Sequence, residues 1–569
     1  MHTRYLRLLL LLTLILALGA FGGMALAQEG ESESEEVEIE VMADDDMAML
    51  SGRIVISFQQ RDTQTWQALC DAYTAMHPDV ECIVELKPAD GYQEWIRTQF
   101  AAGTPDASYV NANVVADLVN DKAFLDLSAY LDADSPYSMR PWREDFDQGA
   151  LFNMTNPLTG EMYMLNLETV QTLWYYNRSL FEQAGILGEA MEVAAGPLNQ
   201  PTWDQFLGWC DKLSEAGIIP LGIEGDYRSL WQIWMGWLFR MYADQYTRDE
   251  AELVRCQPGD YCFREGVDDM WVYDPGDPYN DDRTAITFNP VRKMIALRDG
   301  VQRVDGPAWR DMYTNFKAMG DRCAQDGWVG TYDAYPLFLT GQAAMRLDGA
   351  WLLASFEKNI RSLAEGTYNY GGVEEGQPTP TPSAEDLAAS VFELGTFNNP
   401  TMEGPEVDAP ARTISVNIGF WGVPRKDQAQ NDLEVDFLMF VTSPEGAGLY
   451  LDNRLDPNNP NGGIAGPMAL NDVALPDPVL EQRFEGLRLI GNTEKDNAGS
   501  YRSRGVNDYQ PTVREWVDLA QQYFTEEITL DEFLESYQAS LMNHFDGILD
   551  HINLTAEDLE DPSKKPANY

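Results

Sequence analysis

Basic residues are scarce in this chain. Lys and Arg total 39 against 92 Asp and Glu, a formal charge of −53 over 569 residues, so repulsion removes nucleic acid and anionic membrane surfaces as partners. Histidine is scarcer still: His2, His77, His544 and His551 never join the cysteines in a zinc-like spacing, and there is no CxxC, so no metal is expected. The chain also lacks a GxSxG elbow, an HExxH helix, a GxxxxGK[ST] phosphate loop and a GxGxxG turn. That takes away the common hydrolase, metalloprotease and nucleotide signatures, and no cofactor is expected. Beyond the N-terminus no apolar run reaches the roughly eighteen residues of a membrane span.

The N-terminus itself reads as an export signal. Arg4 and Arg7 precede an apolar run from Leu8 to Leu18, and Ala25-Leu26-Ala27 forms a small-x-small cleavage site before Gln28. No Cys stands near that site, so the signal lacks a lipid acceptor, and a periplasmic or extracellular protein is expected. From Glu29 to Asp46 there are ten acidic residues and neither a basic nor an aromatic one. Such a segment repels itself and buries too little to fold, which predicts a flexible leader over residues 28–50. The acidity as a whole serves solubility; it does not identify a ligand.

All six cysteines, Cys70, Cys82, Cys210, Cys256, Cys262 and Cys323, lie in the exported part, where disulfides persist. Six cysteines allow fifteen pairings. Loop closure favours Cys256 with Cys262 and Cys70 with Cys82, which leaves Cys210 with Cys323.

The 542 residues left after cleavage exceed what one core holds, so at least two domains are expected. Ile54-Val55-Ile56-Ser57-Phe58 reads as a strand, Trp66, Leu69, Cys70 and Tyr73 recur at helical spacing, and Val80 to Leu86 alternates again. Strand, helix, strand in that order predicts a parallel sheet covered by helices. Thr202 with Gln205 makes a capping box for a helix through Leu213, stopped by Gly217. Leu433, Phe437, Phe440 and Val441 mark another helix, ended near Ser443-Pro444. Between Gly371 and Pro410 the chain turns rich in Pro, Gly, Glu and Thr and predicts a surface insertion. No repeat of fixed period occurs.

Several blocks, in order along residues 51 to 455, resemble the family 1 extracellular solute-binding proteins, the maltodextrin and sugar receptors of ABC importers. They are Ala101-Ala102-Gly103-Thr104-Pro105-Asp106 with Asn111-Ala112-Asn113 and Leu125-Asp126-Leu127; Trp174-Tyr175-Tyr176-Asn177-Arg178 through Gly185-Ile186, followed by Pro201-Thr202-Trp203; Gly341 to Met345 with Asp348-Gly349-Ala350-Trp351; and Phe437 to Gly446. The resemblance implies an α/β, two-lobed periplasmic-binding-protein fold of type II, with ligand clamped at a hinge between lobes. It places the N-terminal lobe at residues 51–166 plus about 418–455. The C-terminal lobe takes 167–417 plus about 456–569, with 371–410 as the insertion. It further implies a carbohydrate ligand, delivery to the permease subunits of an ABC transporter, a monomer, and no catalysis.

A sugar offers many hydroxyls and patches of C–H face, so its receptor needs planar polar groups and an aromatic plate. By position in the family pattern, Gln60, Arg61, Asn111 and Asn113 would reach ligand from the first lobe. Trp351 would be the stacking plate, with Asp348 one turn earlier accepting hydroxyl protons. Asp226 and Trp231 lie in a turn that lines the second lobe, and Trp421 could add a second plate; Trp234, on the Trp231 and Leu238 stripe, is expected in the core. Two rivals remain open. A polyamine would suit Asp226, Asp348 and the Trp residues, whereas a secreted glycoside hydrolase would need paired carboxylates that 92 acids could hide. A phosphorylated ligand would want clustered cations, and only Arg61 stands among these residues.

Overall fold

Branched apolar residues in Ile54-Val55-Ile56 make an extended run that buries completely, and that run starts the fold. The computed structural model describes residues 50–58, 62–87, 91–103, 105–112, 118, 123–155, 160–282, 285–365, 392–418, 421–459, 461–491 and 498–566. The signal, the leader through residue 49, Gln60, Arg61 and Asn113 lie outside them. The strands are β1 Gly52–Phe58, β2 Val80–Leu86, β3 Val110–Asn111, β4 Asp134–Ser135, β5 Arg140–Pro141, β6 Glu168–Asn177, β7 Ile219–Leu221, β8 Ala343–Gly349, β9 Leu394–Phe397, β10 Ser415–Ile418 and β11 Trp421–Gly422.

The expected strand, helix, strand opening is present: β1 and β2 pair in parallel from Gly52↔Val80 to Phe58↔Leu86, and helix α1 Thr63–Met76 crosses between them. Asp62 caps α1 by accepting from the Thr65 amide at 3.2 Å, and Trp66, Leu69, Cys70 and Tyr73 bury its inner stripe. A second sheet runs β10-β6-β8-β7, with β9 also on β6. Helix α2 Trp203–Glu215 carries the expected Thr202–Gln205 capping box, and Gly217 at φ 75° ends the turn after it.

The side-chain period of two divides this second sheet between two hydrophobic cores. From β6, Trp174 and Tyr176 enter one core while Leu173 and Tyr175 enter the other. On β8, Met345 and Leu347 face the first of these cores, so Arg346 and Asp348 lie on the opposite face. The core of Trp174 is completed by helices α3 Tyr227–Trp231, α4 Met235–Thr247 and α5 Pro307–Cys323. The core of Tyr175 continues into β1, α1 and the first sheet, and helix α6 Trp351–Glu365 packs into it. Helices α7 Gln428–Thr442 and α8 Pro444–Arg454 close that core, with Ser443 as the expected break. All three expected disulfides form: Cys70–Cys82, Cys210–Cys323 and Cys256–Cys262, at Cα separations of 5.4, 5.1 and 5.8 Å. No described helix is long and apolar enough to cross a membrane.

Three segments differ from the sequence reading. The Trp231, Trp234, Leu238 stripe is broken: α3 stops at Trp231, Trp234 takes φ 46°, and α4 restarts at Met235. Gly236 permits the kink, because a Cβ there would meet the Trp231 carbonyl at 2.5 Å. The expected surface insertion is shorter on its C-terminal side, since β9 pairs with β6 and Phe397 stacks on Trp174 at 5.9 Å. Four residues suffice for a strand when a partner supplies the ladder, and local Pro and Glu density hid them. Finally, Ile464, Leu470, Leu480 and Phe484 bury in the core of β1, not with the rest of the C-terminal segment. Ile464 and Leu470 lie in irregular segments with no period to read, and the helical spacing of Leu480 and Phe484 does not say which core they enter.

Candidate functional site

Arg346 occupies the centre of the most heavily charged buried cluster near the expected plate. Strand alternation puts Arg346 and Asp348 two residues apart on one face, and the guanidinium Nε donates to Asp348 Oδ2 at 2.7 Å. Its Nη1 donates to Glu224 Oε1 at 2.8 Å, and that same oxygen accepts from the Ala334 amide at 2.8 Å. The guanidinium lies over two rings, with Trp234 at 5.1 Å and Tyr335 at 4.7 Å to the centroids. Arg346 and Asp348 have 0 % side-chain exposure and Glu224 has 1 %. Among the described residues the second Glu224 oxygen, Oε2, is buried without a hydrogen-bond partner.

Asp333 stands just before Tyr335 and accepts from its amide at 3.2 Å. Burial pushes the Glu224 carboxyl up to about 7 although Arg346 pulls the other way. Asp333 is raised by burial and, further, by Asp348, against the pull of Arg346. Glu224 and Asp348 therefore share one guanidinium cut off from water, and Asp333, half-buried, adds a third carboxyl nearby. Trp234 contributes through its φ of 46°, a conformation costing about 1–3 kcal/mol for a bulky residue unless the surroundings hold it. That strain turns its ring onto Arg346.

Trp351 follows directly. It begins α6, is half-buried, packs against both cores, and meets Trp237 edge-on at 5.8 Å. Gly349 makes room for it, since a Cβ there would fall 2.4 Å from the Trp351 ring. Asp226 caps α3 by accepting from the Arg228 amide at 3.0 Å and from the Ser229 hydroxyl. Trp231, at the end of that short helix, is half-buried and donates from Nε1 to Asp508 Oδ1 at 3.3 Å.

The first-lobe residues gather elsewhere. Asn111 on β3 pairs in register with Trp421 on β11, and each is nearly fully buried. Trp421 lies in the core, stacked on Phe58 at 5.6 Å and edge-on to Trp66 at 4.6 Å. Its indole N–H is buried without a partner among the described residues. The Asn111 amide donates to the Tyr92 hydroxyl at 3.0 Å, and that hydroxyl donates to the Ser57 carbonyl at 2.6 Å, tying β3 to the end of β1. Two grooves, of about 710 and 350 Å³, run farther along α6; they share Glu357 and Arg483 and contain none of the expected ligand residues.

Of the expected residues the structure thus brings Asp348, Trp351 and Asp226 to one neighbourhood around Arg346, and Asn111 with Trp421 to another. Sequence reading missed Glu224, Asp333, Tyr335 and Arg346; Trp234 lies in the core as expected, and its ring also meets Arg346. Glu224 lies two residues before Asp226 in the same turn, and the two-residue spacing of Arg346 and Asp348 on a strand was a usable signal.

The chain matches the model of the bacterial extracellular solute-binding protein family over residues 59–447. A sequence search of curated proteins gives no significant match. Solved structures with the same fold include a chitin oligosaccharide binding protein, 15% identical, covering 87% of this chain and 99% of that one with a TM-score of 0.52. They also include the apo form of RafE from Streptococcus pneumoniae, 16% identical over 88% of this chain and 98% of that one, TM-score 0.51. The bacterial solute receptor AcbH, described as having an exclusive preference for β-D-galactopyranose, is 14% identical over 88% and 99%, TM-score 0.51. Identities this low establish a shared fold. The family match covers well over half of the residues, and this chain belongs to the bacterial extracellular solute-binding proteins, with their two-lobed α/β fold.

Proposed function

We propose that this protein is the exported receptor of an ABC importer, binding a carbohydrate between its lobes and handing it to the permease without altering it. The observation that carries the reading is the half-buried Trp351 ring, held against both cores beside a cluster of acceptors. An indole offers the plate that a sugar's C–H face needs, and carboxylates accept from its hydroxyls. The family match supports a solute receptor, and the sugars named for the chitin oligosaccharide binding protein and AcbH support a carbohydrate. Asp348, Asp226, Trp231, Asn111 and Trp421 are the described residues assigned to the ligand, with Gln60, Arg61 and Asn113 from the segments between. Trp421 and Asp348 reach it only through lobe movement, because both are buried here. The lobes divide at about residues 166 and 418.

A thermal-shift screen with mono- and oligosaccharides tests this, since a ligand that binds only the folded chain raises its melting temperature. The expected result is a rise with at least one sugar and no new reducing ends on prolonged incubation. Steady product release that needs both Asp226 and Asp348 would replace the receptor with an enzyme.

A further inference from the structure

Arg346 is the cluster's cation, and carboxylates outnumber it. Asp348 takes its Nε, Glu224 takes one Nη, and the guanidinium lies over the rings of Trp234 and Tyr335. What remains is an excess of negative charge: Glu224, Asp333 and Asp348 stand against this single guanidinium, with Asp226 at the neighbouring cap. The Glu224 carboxylate lies inside the cluster, between Arg346 and the Ala334 amide, and its Oε2 has an acceptor's lone pairs and nothing to receive. The rings of Trp234 and Tyr335 lie against the guanidinium that Glu224 and Asp348 hold, and the Trp351 ring, edge-on to Trp237, lies against Gly349 next to Asp348.

Carboxylates beside aromatic faces, in a place cut off from water, form the chemistry that recognises an ammonium group. We propose that this cluster selects a ligand bearing a protonated amine, an amino sugar being the carbohydrate that meets both demands, and that it rejects uronates and phosphorylated sugars. The proposal rests on the carbohydrate reading above for the sugar and on the cluster for the amine. Burial raises the proton affinities of Glu224 and Asp333, and an incoming ammonium would supply the hydrogen-bond donors that a bound proton otherwise provides.

Calorimetric titration of the full exported chain near neutral pH tests this with four probes: a glucosamine oligomer, its N-acetylated counterpart, a galacturonate oligomer of equal length, and spermidine. The glucosamine oligomer is expected to bind about tenfold or more tightly than the N-acetylated one, and the galacturonate not at all. In Glu224→Gln the ratio between the first two should fall towards one, and Asp333→Asn, on a half-buried residue, should lower it as well should the first variant fail to fold. Equal or tighter binding of the N-acetylated oligomer, or binding of the galacturonate, overturns the amine proposal and leaves the carbohydrate reading standing. Binding of spermidine without any oligosaccharide does the reverse, and silence with all four probes removes both.

Discussion

Arg346 and Arg412 are both buried, with 0 % and 1 % side-chain exposure, and each is gripped by two carboxylates. Their surroundings differ in arithmetic. Arg412 donates to both oxygens of Asp244 and of Asp281, while Arg248 donates to Asp244 at 2.7 Å, so two guanidiniums meet two carboxylates. Backbone carbonyls of Pro278 and Pro410 take further N–H groups at 3.2 and 2.8 Å. Burial works to raise Asp244, and the two guanidiniums outweigh it and hold the carboxyl below its ordinary range. Around Arg346 the count is three acids to one cation, and burial, only partly offset by that cation, pushes Glu224 up to about 7. A balanced buried cluster fixes chain segments; an unbalanced one retains a demand that a ligand can meet.

The sharpest way to break that comparison is to unbalance the balanced side. Arg412→Met leaves Asp281 without its guanidinium and Asp244 with only Arg248, and should destabilise the unliganded protein by about 3–5 kcal/mol in denaturant unfolding. Ligand affinity in the folded fraction should not change. A loss below about 1 kcal/mol, or a change in affinity, would mean that the two clusters are not different in kind.

Proton linkage comes next in size and separates the two clusters by sign. Glu224 titrates above its unfolded value, so the native state holds its proton longer, and its contribution to stability falls as pH rises from about 4.5 to about 7. The shift corresponds to something on the order of 3 kcal/mol. Wild type should therefore lose stability relative to Glu224→Gln across that window. Asp244 is depressed, so its contribution is present above the usual Asp range and is lost as pH falls below it, and Asp244→Asn should diverge from wild type in the opposite direction. Parallel pH profiles for the two variants would erase the distinction.

Trp351→Ala acts chiefly on the binding side. Loss of the plate should weaken sugar binding by about 1–3 kcal/mol, roughly ten- to a hundredfold. Because the ring is only half-buried, unliganded stability should drop by less than the roughly 3–5 kcal/mol of a fully buried Trp. Apo unfolding and titration on the same variant separate the outcomes; a core-sized loss with affinity kept would remove Trp351 from the site.

Much of this was legible beforehand where periodicity is local. The β1, α1, β2 unit, the Thr202 cap, the Ser443 break and the Cys70–Cys82 and Cys256–Cys262 disulfides all follow from spacings of a few residues or from closing short loops, and Cys210–Cys323 follows by elimination. The Arg346 cluster was not, because its members come from four separate stretches, around residues 224, 234, 333 and 346, and only the fold places them together. The Asp348-Gly349-Ala350-Trp351 motif lies at this cluster, but nothing in it showed that Asp348 is buried against Arg346. The Asp348 carboxylate accepts from Arg346 and from the Gly349 amide. Sequence also could not show that Trp234 leaves the helix, since a positive φ at a bulky residue is imposed by packing and not by propensity.

Asp226 offers the smallest effect and a clean division of roles. As the N-cap of α3 it accepts from the Arg228 amide, so Asp226→Ala should cost about 1 kcal/mol of stability. Asn caps a helix about as well as Asp, so Asp226→Asn should keep that stability while removing the charge. If Asp226 belongs to the negative excess that draws an ammonium, the Asn variant should lower the affinity for the glucosamine oligomer by a few-fold and leave the N-acetylated oligomer nearly untouched, because a partly exposed charge is screened. If the cap is its whole role, Asn should bind both like wild type, and Ala should weaken both together by loosening α3. Titrating the two variants with the two oligomers at low and high salt decides between these, since only the charge effect fades with salt.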